Sequence, residues 1–352
     1  MPQGSLDVLV CEALLPASVR SAKVDGRPVP LLKRNVRKVL ILGDTGCRLV
    51  ERGKASEYQN CNDPGIWPFR QRAAEAARLR PDLVIHVGDY LYRESPCPTR
   101  IGCEGTASGN GWLGWKADFF DPAAPLLRAA PWIFVRGNHE DCTRAWDGWF
   151  RFLHPGPMPT SNCETHSPPY HVDAGRFHFA VMDSTVGSDD IPKPADVAMY
   201  QKDLDEISTW RLAKAWLVTH RPFWGIRVGP QGAIRSGSAT LDEAWRRSPA
   251  LGIAGVLSGH IHALEWVDFG PHRPVQFVIG NSGTKLLDRF SSPTTNFQLD
   301  RMRVDSASVQ FASGFAVMQR TPRGVSVDLL AGEEHQKLSC KVDVVATCVK
   351  LK

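Results

Sequence analysis

The side chains able to hold a metal or move a proton gather in short groups: Gly43-Asp44-Thr45-Gly46, Gly88-Asp89-Tyr90-Leu91-Tyr92, Gly137-Asn138-His139-Glu140, His220, and Gly259-His260-Ile261-His262. Carboxylates, phenol, amide oxygen and imidazole are together the donors that divalent and trivalent metals take. Each group alone has a plainer explanation: an Asp after a strand is usually a helix N-cap, an Asn-His pair a turn, and a lone His-x-His a coincidence. Together they need one explanation.

Each group follows a short apolar run with strand character: Val39–Leu42, Leu83–Val87, Trp132–Val135, Ala215–Val218 and Ile253–Leu257. Further strands are expected at Phe177–Met182, Val275–Ile279, Phe315–Met318 and Val325–Leu330. Between them, Val197, Tyr200, Leu204, Ile207 and Trp210 recur at helical spacing, as do Trp112, Trp115 and Phe119, and Trp146, Trp149, Phe150 and Leu153. Such stripes read as core. Strands alternating with helices predict an α/β layered fold. The ionisable groups all fall at the carboxyl ends of strands, the edge where open α/β sheets bind ligands. Glycines in these groups permit the tight turns that let short side chains converge.

The order GDTG, GDYLY, GNHE, LVTH, GHIH resembles the motif blocks of calcineurin-like metallophosphoesterases, over residues from about 40 to 285. Many members carry Asp-x-His in the first block; here Gly46 stands in the His position, and Tyr92 can replace the lost ligand. That exchange resembles the purple acid phosphatase branch. In the fourth block, Leu217 stands where Val is usual.

The resemblance implies a four-layer sandwich, two mixed β-sheets flanked by helices, and two adjacent metal ions. Asp44, Asp89, Tyr92 and His262 would hold one, and Asp89, Asn138, His220 and His260 the other, with Asp89 bridging. Hard anionic ligands suit Fe(III) at the Tyr92 site, and imidazoles and an amide suit divalent Fe, Zn or Mn at the second. The implied reaction is in-line attack on phosphorus by a hydroxide that the metal pair activates. His139 would protonate the leaving alkoxide or stabilise the charge on it, held by Glu140 or Asp141. Arg221 and Asn281 are weaker candidates for substrate contacts. Asp183 is read as a supporting residue or a cap, His86 as a satisfied core histidine, and Glu164, His166 and His171 as neighbours of a lid loop. Phosphomonoesterase is the first reading and hydrolase of phosphodiesters, nucleotides or organophosphates the second. A non-catalytic binding protein on the same scaffold is a remote third, disfavoured because every ligand position is filled.

Bulk properties agree. A formal charge of +5, with 43% hydrophobic and 22% charged residues, is that of an ordinary globular protein. No dense Lys/Arg run points to nucleic acid, and no apolar stretch is long enough to span a membrane. A small-molecule phosphoester is the expected partner; the sequence does not address oligomeric state.

Nine cysteines form no Cys-x-x-Cys pair, which argues against a structural zinc knuckle. Eight of them are neighbours along the chain, 47 with 61, 97 with 103, 142 with 163 and 340 with 348, leaving Cys11 over. Disulfides closing these short loops predict an exported protein, periplasmic or secreted, whose leader is absent from this sequence; buried thiols of a cytosolic protein are the alternative. Residues 1–35, with short extended runs at Val8–Cys11 and Ser21–Val24 and a turn at Asp25-Gly26, read as an edge hairpin or the remnant of a small module. Residues 36–352 then form the catalytic domain. The stretches 95–111 and 154–169 read as long loops tied by cysteines.

Overall fold

Alternating side chains in the strand Lys38–Leu42 set the layering, because Val39 and Ile41 face one core and Leu40 and Leu42 another. The computed structural model describes residues 6–16, 18–157, 162–229, 232–332, 334–343 and 345–351. Among these, two large mixed sheets of seven and eight strands face each other.

The seven-stranded sheet has Lys38–Leu42 at its centre, parallel to Leu83–His86, which is in turn parallel to Trp132–Phe134. On its other side, four strands between Gly314 and Leu351 follow as an antiparallel meander. In the eight-stranded sheet, Phe177–Val181, Ala215–Val218, Ile253–Ser258 and Val275–Ile279 are parallel neighbours. Antiparallel strands close both edges of that sheet.

Val39, Ile85, Phe179, Val218, Phe277 and Met318 belong to the core shared by the sheets. Outside the first sheet, Leu40, Val84 and Val317 pack with Phe69, Ala73, Phe119 and Trp149, from the helix Phe69–Arg78, a π-helical turn Lys116–Phe120 and the helix Trp146–Phe152. Outside the second, Ala180, Leu217 and Val256 pack with Val197, Tyr200, Leu204 and Ile207 of the helix Pro194–Thr209 and with Leu241 and Trp245 of Ala239–Arg247. The result is the expected sequence of layers, helix, sheet, sheet, helix.

The strands expected around the groups of ionisable residues form where the apolar runs lie. Val8–Cys11 does not: it has no strand partner. Ala22–Val24 does pair with Arg27–Val29 across Asp25-Gly26, both at positive φ. The described cysteines are bridged 47–61, 97–103, 142–163 and 340–348, with Cys11 free and exposed.

Candidate active site

Three of the strand ends turn at once into the left-handed region: Asp44 has φ 53°, Asp89 φ 61° and His260 φ 71°. That conformation is uncommon for residues other than glycine, and three cases in one site point to a backbone bent for its side chains. Gly88, at φ 98°, lets the Asp89 turn form, and a Cβ there would collide with the His220 ring.

Buried carboxylates hold these turns together. Glu140 accepts from the backbone N–H groups of Asp89, Tyr90, Leu91 and Gly137, tying the Asp89 loop to the 3₁₀ turn Asn138–Glu140. Asp118 accepts from the N–H groups of Cys47 and Tyr92 and pairs with Arg93, joining the Asp44 and Tyr92 loops.

At the centre, Tyr92 Oη lies 2.7 Å from Asp89 Oδ2, 2.9 Å from Asp44 Oδ1 and 3.0 Å from His262 Nε2. His220 Nε2 lies 3.0 Å from Asn138 Oδ1 and 3.2 Å from Asp89 Oδ2. Donor atoms of Asp89, His220 and His260 fall within 4.8 Å of one another. The seven expected ligand side chains therefore meet around Asp89.

Two of the imidazoles are fixed from behind. The Nδ1–H of His220 donates to the Val87 carbonyl at 2.8 Å, and that of His262 to the Lys285 carbonyl at 2.8 Å. The lone pairs on both Nε2 atoms are thereby turned toward the centre, the arrangement that carbonyl partners impose on metal-binding histidines. His220 Nε2, Asn138 Oδ1 and the Asp89 carboxylate are then acceptors facing acceptors, and only a cation between them satisfies all three. With protons as the sole cations, burial opposes charging His220, yet the Asp89 carboxylate, aided by its hydrogen bond and by Asp44, raises that imidazole to about 9. The residues present fit a metal pair.

Burial and the flanking Asp44 and Asp89 carboxylates hold the Tyr92 phenol well above its ordinary range. His260 Nε2 lies 2.9 Å from both Asp189 Oδ2 and Arg221 Nη1, and Arg221 also reaches Asp189 Oδ1 at 2.8 Å. Burial and the nearby Arg221 cation depress His260 to about 4, so its ring is neutral and its Nε2–H has Asp189 as acceptor.

His139 is buried beside Asp89, whose Oδ1 accepts from its backbone N–H at 2.8 Å. Its Nδ1 lies 2.5 Å from Glu94 Oε1, and its Nε2 3.2 Å from Arg48 Nη1. Neither expected neighbour holds it: Glu140 is spent on backbone N–H groups, and Asp141 binds Arg144 and Thr143. Glu94, Asp189, Arg48 and Arg144 are the residues that sequence reasoning missed. Two further sequence candidates have protein partners of their own. Asn281 is fully buried and donates to the Ala312 carbonyl, while Arg221 pairs with Asp189.

His86 is a core histidine, 3.0 Å from Thr45 Oγ1 and stacked on Tyr90. Asp183 accepts from the N–H groups of Ser167 and Thr185. His166 pairs with Asp203, and His171 packs on Trp210. The site opens into a cavity of about 590 Å³ lined by Asp89, Asn138, His139, His260 and His262, with Arg48, Arg52 and Arg144 at its walls.

The model of the calcineurin-like phosphoesterase family matches residues 37–264, well over half the chain, and the chain belongs to that family, among the hydrolases of phosphoester bonds. PhoD is similar in structure at 12% identity, over 92% of this chain and 73% of that one, with a TM-score of 0.55. A purple acid phosphatase from yellow lupin (Lupinus luteus) seeds matches at 17% identity, over 86% of this chain, with a TM-score of 0.48; this chain spans 52% of that enzyme's length. A dimetal phosphatase from Danio rerio matches at 10% identity, over 90% of this chain and all of that one, with a TM-score of 0.44. Identities this low speak for the fold alone. No curated protein sequence matches.

Proposed function

We propose that the chain is a two-metal phosphomonoesterase of the purple acid phosphatase type. The observation that carries this reading is the cluster of mutually facing acceptors around Asp89, with Tyr92 on one side and His139 above. Asp44, Asp89, Tyr92 and His262 would hold one ion, and Asp89, Asn138, His220 and His260 the other. When bound, such a pair supplies Lewis acidity, making water acidic enough to attack phosphorus and offsetting phosphoryl charge.

The protein's own residues do the rest. A phenol wedged between two carboxylates ionises only beside a strongly charged cation, which favours Fe(III) at the Tyr92 site; the neutral amide and imidazoles of the other suit divalent Fe, Zn or Mn. His139 Nε2 faces the centre, where Arg48 donates to it as the enzyme rests. Burial holds the imidazole below its ordinary value and Glu94 at Nδ1 offsets part of that, so that the ring takes up a proton and passes it from Nε2 to the departing alkoxide once substrate draws Arg48 away. Arg48, Arg52 and Arg144 reach the cavity wall, each beside an acidic partner (Glu57, Glu94 and Asp141 in turn), and these cations support the monoester reading because a dianion calls for more of them than a diester monoanion does.

The four bridges support export to an oxidising compartment, and residues 1–35 are read as an element apart from the catalytic domain. The test of function is hydrolysis of a chromogenic phosphomonoester and its matching diester by metal-loaded protein, with Asp89→Ala as control. Monoester turnover that the variant loses is expected. Preferential diester turnover would move the function to phosphodiesterase, and turnover that survives Asp89→Ala would refute the site.

A further inference from the structure

His260 is a wall shared by two cavities. On one side lies the polar cavity of the candidate site; on the other lies a hollow of about 460 Å³. Two separate chain segments build the second hollow. Arg227–Val228 pairs antiparallel with Ile234–Arg235 to form a short ribbon on one side. On the other, the chain leaves Lys285, whose carbonyl fixes His262, and runs on through Leu287 and Phe290.

Half of the side chains that line this hollow are apolar: Val228, Ile261, Leu287 and Phe290. Val228 is 42% exposed and Leu287 37%, so apolar surface is left facing water at the edge of a catalytic cavity. Phe290 meets Phe311 edge to face at 5.0 Å, packs partly against the core outside the second sheet, and is half-buried. The polar side of the hollow carries Arg227, Asp288 and Arg289, the last two exposed. Arg227 is fully committed to Asp190 and to the carbonyls of Asp189, Ser236 and Gly237. The polar cavity has the chemistry for a phosphoryl group, and the hollow beyond His260 adds the apolar surface that cavity lacks.

From this juxtaposition we propose that the hollow receives the organic group of the substrate, and that this group is apolar and ring-bearing, of one or two aromatic rings. The inference rests on the hydrolase reading above and names its substrate class. An ester seated with its phosphoryl group among Asp89, Asn138 and His139 passes its alcohol over His260, and an aromatic alcohol then covers Leu287, Val228 and the half-buried Phe290 ring. Removing that surface from water is the favourable term, and stacking on Phe290 adds to it. A polyhydroxylated alcohol gains neither.

The test compares 2-phenylethyl phosphate with glycerol 1-phosphate, two esters of primary alcohols whose leaving groups are alike in reactivity. The parent protein is expected to show the lower KM for the phenylethyl ester. In Leu287→Asp the ratio of its KM to that of the glycerol ester is expected to rise about tenfold, as for loss of a well-filled apolar subsite. Val228→Asp, on the other segment, repeats the test if the first variant does not fold. An unchanged ratio in both folded variants would overturn the assignment of the hollow. Absence of phosphate release from either ester by the metal-loaded parent would instead overturn the hydrolase reading, and the hollow's role with it.

Discussion

His139 shows how a residue's role depends on a neighbour that spacing does not reveal. Its Nδ1 is 2.5 Å from Glu94, while the acidic residues beside it in sequence, Glu140 and Asp141, face elsewhere. Glu94→Gln is therefore expected to keep both metals and lower kcat by about 10–100-fold, the loss typical of removing a partner that orients a functional histidine. His139→Ala should lower it at least as far, and Glu94→Gln should then add little in the double variant, because the two act as one unit. Steady-state kinetics with metal analysis checks this; a Glu94→Gln enzyme with full kcat would contradict it. Asp189 makes the corresponding case for a ligand. Its carboxylate fixes His260 from the Nε2 side, so Asp189→Asn should weaken the ion held by His220 and His260 by about 10–100-fold, read as the affinity of the weaker ion in a metal titration. The ligand candidates were legible in sequence because each sits directly after a strand. Glu94 and Asp189 were not, because their contacts with His139 and His260 bridge 45 and 71 residues and arise only when loops fold over the sheet edge. For Asn281 the sequence places the residue at the edge, after a strand, and the structure adds a partner for its Nδ2, the Ala312 carbonyl.

At the scale of elements, the parallel strands were readable as continuous apolar runs, since they are buried on both faces. The antiparallel strands Thr295–Leu299, Met302–Gln310 and Ala346–Leu351 have one face toward water and mix polar with apolar residues, so no run marks them. Leu264–Asp268 is fully buried yet carries Glu265 and Asp268, which disguises it as a loop. Glu265 Oε2 accepts from the Ile226 N–H at 2.8 Å, and burial raises the carboxyl to about 8. A carboxyl raised in the native state binds a proton there that the unfolded chain gives up, so stability falls as pH rises from the unfolded value near 4.5 toward 8. Glu265→Gln keeps the acceptor and removes the charge. Relative to the parent it should gain about 2–4 kcal/mol between pH 5 and pH 8, seen as diverging denaturant midpoints; parallel midpoint curves would contradict this.

For the whole molecule, the sandwich puts the carboxyl ends of two sheets' parallel strands at one rim, so that Asp44, Asp89 and Asn138 from one sheet meet His220, His260 and His262 from the other. Neither sheet alone holds a complete set. No helix among the described residues is long and apolar enough to cross a membrane, and the four bridges each close a loop of 6 to 21 residues within one region, so the two halves of the site are joined by packing rather than by disulfides. Asp89 lies at the junction, and its replacement should empty both metal positions at once. The most direct measurement is the metal content per chain of the purified protein and of Asp89→Ala, by elemental mass spectrometry after dialysis. The account predicts two ions per chain in the parent, with iron among them, and none retained in the variant. One ion or none in the parent after loading, or two retained in Asp89→Ala, would contradict it.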